Sequence, residues 1–170
     1  DREDWDALNH GTPQGGLSWG LIDGNDDAWK QLNSLARDVD TPDQTISNAA
    51  YQRLLGNRPD GSNDPNLETL LDVENFIDYM ILNLYGGNWD WSRNNWYAGR
   101  LRGSSSTGFQ YYSWDAEYTM GMGADRQGHS DLRINKTGES EDVANVYDKL
   151  RANDEFLLLF ADHVHQHFFN

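Results

Sequence analysis

Asp90 and Asn95, followed by Asp115 and Glu117, are the densest grouping of potentially reactive side chains in this chain. An aspartate can orient an attacking hydroxyl and take its proton. An asparagine and a second aspartate further on can hold a divalent cation against phosphate oxygens. The order Asp-x4-Asn, hairpin, acidic loop therefore suits phosphoryl transfer. Asp115 and Glu117 leave the end of one predicted strand together, and such a pair ligates a hard cation through oxygen. Asp-x4-Asn by itself is a common spacing, and a loop aspartate is ordinarily a turn former, so the weight lies in how these residues are combined.

The elements around them are readable. Val73, Phe76, Ile77, Met80, Ile81, Leu84 and Tyr85 keep helical spacing and define a broad buried face, in a helix starting near Leu67 or Asp72. Gly86 and Gly87 end it, so a rigid element delivers Asp90 on its following loop. Trp96 to Leu101 and Phe109 to Trp114 read as two strands joined by the small-residue loop Gly103 to Gly108. A hairpin of this kind brings Asp90 and Asp115 to one side of the fold. Further helices are expected over about Asp26 to Arg37, Ser47 to Leu55 and Ser140 to Leu150, and from Phe156 to Phe168. Residues 1–23 read as a loop-rich entry segment with one short strand around Leu17 to Ile22. Residues 121–138 read as a mobile surface loop. The fold class is α+β, mainly helical, with a small β-hairpin.

With 170 residues, 37% of them hydrophobic and 12% aromatic, the chain is long enough and apolar enough for one folded core. A net charge of −15 repels nucleic acid and anionic headgroups, which leaves divalent cations and basic protein segments as the better partners. There is no cysteine, so disulfides, thiolate zinc sites and cysteine nucleophiles are excluded. No apolar run approaches the length of a membrane span, and Asp1 to Gly11 lacks the pattern of a signal peptide.

Other features have plainer readings. Trp89, Trp91, Trp96, Tyr97, Tyr111, Tyr112 and Trp114 beside paired carboxylates would suit a sugar-cleaving site. Core packing is preferred, because strand alternation buries about half of them. His163, His165 and His167 resemble a metal tract, but only His163 and His167 share a helix face and no third ligand stands at a zincin-like spacing. A polar helix face is the preferred reading there. Asn135-Lys136-Thr137 is a glycosylation sequon with no supporting context.

The ordered blocks DVENFIDYMILNLYGGNWDWSRNNWYAGR, GFQYYSWDAEYTMG and YDKLRANDEFLLLFADHVHQHFFN resemble the CotH kinase-like family, the spore coat protein H type of atypical protein kinase. The resemblance runs from about Gly24 to Asn170 and includes DGNDDAWKQLNSLAR. It implies a divergent kinase-like fold that uses ATP and Mg2+, or another divalent cation such as Ca2+ or Mn2+, to phosphorylate serine in a protein substrate. It also implies a secreted or cell-envelope setting. By the same resemblance Asp90 is the catalytic aspartate and Asn95 a metal ligand, with Asn94 able to exchange with it. Asp115 is the metal-binding aspartate and Glu117 a further ligand.

The chain departs from ordinary kinases in having no glycine-rich phosphate loop and no Val-Ala-x-Lys strand. Its lysines are Lys30, Lys136 and Lys149, each on an expected helix or loop. The expectation is a partial domain, the C-terminal lobe, with the phosphate-anchoring lobe upstream and little turnover by this piece alone. The acidic surface suits a basic serine-containing substrate. A non-catalytic surface or adhesion module of the same fold and a carbohydrate-active domain are the alternatives.

Overall fold

The computed structural model describes residues 4–11, 19–103, 105–121 and 135–169. Its centre is an antiparallel sheet of β1 (Trp5–His10), β2 (Trp19–Asp23), β3 (Trp96–Leu101) and β4 (Gln110–Ser113), ordered β2-β1-β3-β4. The expected hairpin is therefore one half of a four-stranded sheet. β1 lies between β2 and β3, with Leu8 opposite Leu21 on one side and Ala98 on the other.

The entry segment contains a strand that hydrophobic alternation does not reveal. In β1 the inward residues are Asp6 and Leu8, both fully buried. A charge at an inward position breaks the apolar-polar pattern by which half-buried strands are recognised. Asp6 accepts a hydrogen bond from Arg100 Nε at 3.0 Å and another from the Asn25 backbone N–H at 2.9 Å, and Arg102 lies 3.3 Å away. Arg100 also donates to Glu68 at 2.8 Å. Partners from the end of β3 and from the loop before α1 thus make the burial of Asp6 tolerable. The strand expected around Leu17 to Ile22 is β2, of which residues 17 and 18 lie outside the described residues.

Helices α1 (Asp27–Val39), α2 (Gln44–Leu54), α3 (Val73–Gly86), α4 (Val143–Leu150) and α5 (Asp154–Phe169) complete the α+β fold. The Trp29 ring of α1 stacks on Trp96 of β3 with centroids 5.6 Å apart, and Phe76 of α3 meets Tyr111 of β4 at 4.7 Å. Asp72 caps α3 by accepting from the Asn75 N–H at 3.1 Å. Gly87 closes the helix in the left-handed region at φ 56°, where glycine carries no side-chain penalty.

Between α4 and α5 the chain breaks at Asn153, which is fully buried. Its side-chain oxygen accepts from the N–H groups of Glu155 and Phe156 at 3.1 and 3.2 Å, so the break is an N-cap. Among the described residues no helix is long and apolar enough to cross a membrane.

Candidate functional site

Asp90 sits on a loop fixed from both sides. Directly after α3, buried Asn88 donates to the Asn83 side chain at 3.0 Å, and Asn83 donates to the Tyr79 carbonyl at 2.8 Å. The Trp89 N–H reaches the Tyr118 carbonyl at 2.9 Å, and the Met120 N–H reaches that of Gly86 at 2.6 Å. These two bonds clasp the Asp90 loop to the segment that carries Asp115 and Glu117. On the far side of Asp90, Trp91 is buried, with its indole N–H donating to the Tyr79 hydroxyl at 2.6 Å.

The open end of the β3-β4 hairpin joins the two loops. Trp96 pairs with Ser113, so Asn95 and Trp114 follow the ladder out, and the Trp114 N–H donates to the Asn95 carbonyl at 3.3 Å. The Asn95 side-chain amide donates to Asp90 Oδ2 at 2.7 Å and to the Asp115 carbonyl at 3.3 Å. The Asn95 backbone N–H donates to His10 Nδ1 of β1 at 3.1 Å. Asn95 and Asp115 both take left-handed backbone conformations, at φ 63° and 51°, which Asn and Asp tolerate better than other side chains. Asn94 is exposed and lacks these side-chain contacts with Asp90 and Asp115.

The carboxyl groups crowd one another. Burial raises the Asp90 carboxyl above its ordinary pKa, and the nearby charge of Asp115 adds to the effect. The Asn95 hydrogen bond and the charge of Lys136 oppose it. A hydrogen bond with the Asp115 carboxyl raises Glu117, and the charges of Asp115 and Asp90 act in the same direction. Three carboxylates and one amide are oxygen donors of the kind that hard divalent cations prefer. By donor chemistry Asp115, Glu117 and Asn95 could hold such an ion once their side chains turn toward it, for the Asn95 amide nitrogen, not its oxygen, faces Asp90 and Asp115.

Lys136 is the residue that sequence reasoning missed. Its Nζ donates to the carbonyls of Trp89 at 2.8 Å and Trp91 at 2.9 Å, and it meets Glu139 at 3.0 Å. The expected surface loop 121–138 falls largely outside the described residues, and at Lys136 it is corrected, because that side chain is buried. Asp90, Arg93, Asn94, Lys136 and Glu139 border a cleft of about 510 Å3. Arg93 pairs with Glu141 at its edge. No spacing signal links Lys136 or His10 to Asp90, since both arrive through tertiary contacts.

Of the aromatic cluster, Trp91, Trp96 and Tyr111 are core residues, while Tyr112 and Trp114 are exposed. The reading of strand alternation with about half of the rings buried describes them well. His163 and His167 contact Asp78 of α3.

Comparison with known proteins found one family model, described as CotH kinase protein, over residues 17–167. Neither the curated proteins nor the solved structures gave a match. With nearly its whole length matched, the chain belongs to the CotH kinase family.

Proposed function

We propose that this chain carries the catalytic and metal-binding segments of an ATP- and divalent-metal-dependent protein serine kinase. The observation that carries the proposal is the Asn95 amide, which bonds both the Asp90 carboxylate and the main chain of Asp115. One side chain thereby couples the base to the metal-binding loop. Membership of the CotH kinase family supports the reading.

Asp90 Oδ2 is held by Asn95, whereas Oδ1 is buried with no hydrogen-bond partner among the described residues. Oδ1 is therefore the Asp90 oxygen left to take the proton of an acceptor hydroxyl while Oδ2 stays with Asn95. The raised pKa makes Asp90 a stronger base than an exposed carboxylate. In the transfer the seryl oxygen gains a bond to phosphorus, the bond to the ADP oxygen breaks, and the hydroxyl proton passes to Asp90. ATP supplies the phosphoryl group and the divalent cation supplies charge neutralisation on its phosphates. A net charge of −15 favours a basic serine-containing protein segment as substrate, and the family resemblance alone suggests a secreted or envelope setting.

The test is labelling of the natural full-length protein with radioactive ATP and divalent metal, beside Asp90→Ala and Asp115→Ala. Label on the wild type and on neither variant is the expected result. Label retained by Asp115→Ala would overturn the metal assignment. Absence of both label and ATP binding in the wild type would overturn the kinase reading in favour of a non-catalytic surface module.

A further inference from the structure

The histidine tract meets a third ligand that lies far away in the sequence. His163 and His167 are four residues apart on α5, so both face α3, where Asp78 is exposed. His163 Nδ1 lies 2.7 Å from Asp78 Oδ1, and His167 Nε2 lies 2.8 Å from the same oxygen. All three ligand atoms are within 4.8 Å of one another. The Asp78 and His167 side chains are 49% and 43% exposed and that of His163 only 14%, so the cluster has an anchored floor and an open mouth.

We propose that Asp78, His163 and His167 form a binding site for a borderline divalent transition cation of the Zn2+ class, separate from the Asp90 centre. Two imidazoles and one carboxylate are a recurrent ligand set for such ions, with water in the remaining positions. The hard cations suited to Asp90, Asp115 and Glu117 have little preference for imidazole. Neutral imidazole has one protonated nitrogen and one lone pair. Ligation therefore places the ring protons on His163 Nε2 and His167 Nδ1 and turns the contacting nitrogens toward the ion. The sequence reading found no third ligand because Asp78 lies on another helix.

The location gives the site a structural consequence. Phe156, at the start of α5, is the only buried side chain among the described residues of this sixteen-residue helix. Farther along, Tyr85 of α3 and Phe168 of α5 meet with ring centroids 4.8 Å apart. An ion held by one carboxylate from α3 and two histidines from α5 would fasten this lightly packed helix to the one that leads into the Asp90 loop.

The experiment is titration of the tag-free chain with Co2+ as a spectroscopic probe, followed by displacement with Zn2+. The expected result is a visible d-d absorption band saturating at one equivalent, bleached by Zn2+ and unaffected by excess Mg2+. His163→Ala and His167→Ala should each weaken binding at least about tenfold. His165→Ala and Asp115→Asn should leave it unchanged. Far-UV circular dichroism checks that the variants fold, and His167→Gln keeps a polar side chain at that position while removing the imidazole ligand. Absence of the band from the wild type would overturn the proposal, and so would equal affinity in a folded His163→Ala/His167→Ala double variant.

Discussion

Lys136 donates a hydrogen bond to the main-chain carbonyl of Trp91 at 2.9 Å, across forty-five positions of sequence. A second bond, to Trp89, makes the buried ammonium straddle Asp90. Lys136→Met keeps most of the side-chain volume but leaves both carbonyls without this donor. A loss of about 1–3 kcal/mol is expected in urea unfolding. An unchanged midpoint and slope would mean that water replaces the ammonium at no cost.

Helix positions were legible because their apolar faces and caps are local signals. Asp72, the α3 stripe and Gly87 all lie within one stretch, and β3 occupies the predicted Trp96–Leu101. β1 was not legible, because its inward Asp6 makes sense only once Arg100 is in place. The grouping of Asp90, Asn95, Asp115 and Glu117 was visible in part, since the hairpin between the loops is a local feature. His10, Lys136 and Asp78 were invisible for the opposite reason. Each reaches its neighbours from an element whose position only the folded chain determines.

Asp90→Asn should separate stability from activity. Burial and the charge of Asp115 raise the folded-state pKa of Asp90, so its ionised form costs folding free energy. That cost is present above the folded pKa and disappears once pH falls below the unfolded value, roughly 4. The variant should therefore melt higher than wild type at neutral pH, with the difference shrinking toward pH 4, and should not transfer phosphate. Melting curves across pH read the first effect and ATP labelling the second. A lower melting temperature at neutral pH would contradict the assigned sign.

At Asn95 the backbone and side-chain roles can be divided. Glycine adopts φ 63° freely, whereas alanine there carries a strain of about 1 kcal/mol. Asn95→Gly should thus be the more stable of the two in denaturant titration. Neither variant should be labelled by ATP, because both lose the amide that bridges Asp90 and Asp115. Labelling of Asn95→Gly at the wild-type rate would remove Asn95 from the site.

Asp6 and Arg100 should be strongly coupled. Asp6→Ala leaves a buried guanidinium with Glu68 as its remaining carboxylate partner, and about 3–5 kcal/mol of destabilisation is expected. Adding Arg100→Met should cost less than the sum of the two single changes. A double-mutant cycle by urea unfolding measures this, and additive losses would show that the pair contributes nothing as a pair.

The central position of β1 also sets a schedule for synthesis. Leu8 pairs with Ala98, and closing a loop of that size costs about 4 kcal/mol of chain entropy by logarithmic scaling. On the ribosome β1 and β2 must wait for β3 on the order of ten seconds at ordinary elongation rates. A two-stranded hairpin is barely stable alone, and its free edge invites pairing with other chains. The inward charge of Asp6 opposes such pairing, because a stranger's strand would bury it without a counter-ion. The aspartate that hides β1 from pattern reading is thus the residue that disfavours burying this strand before Arg100 has been made.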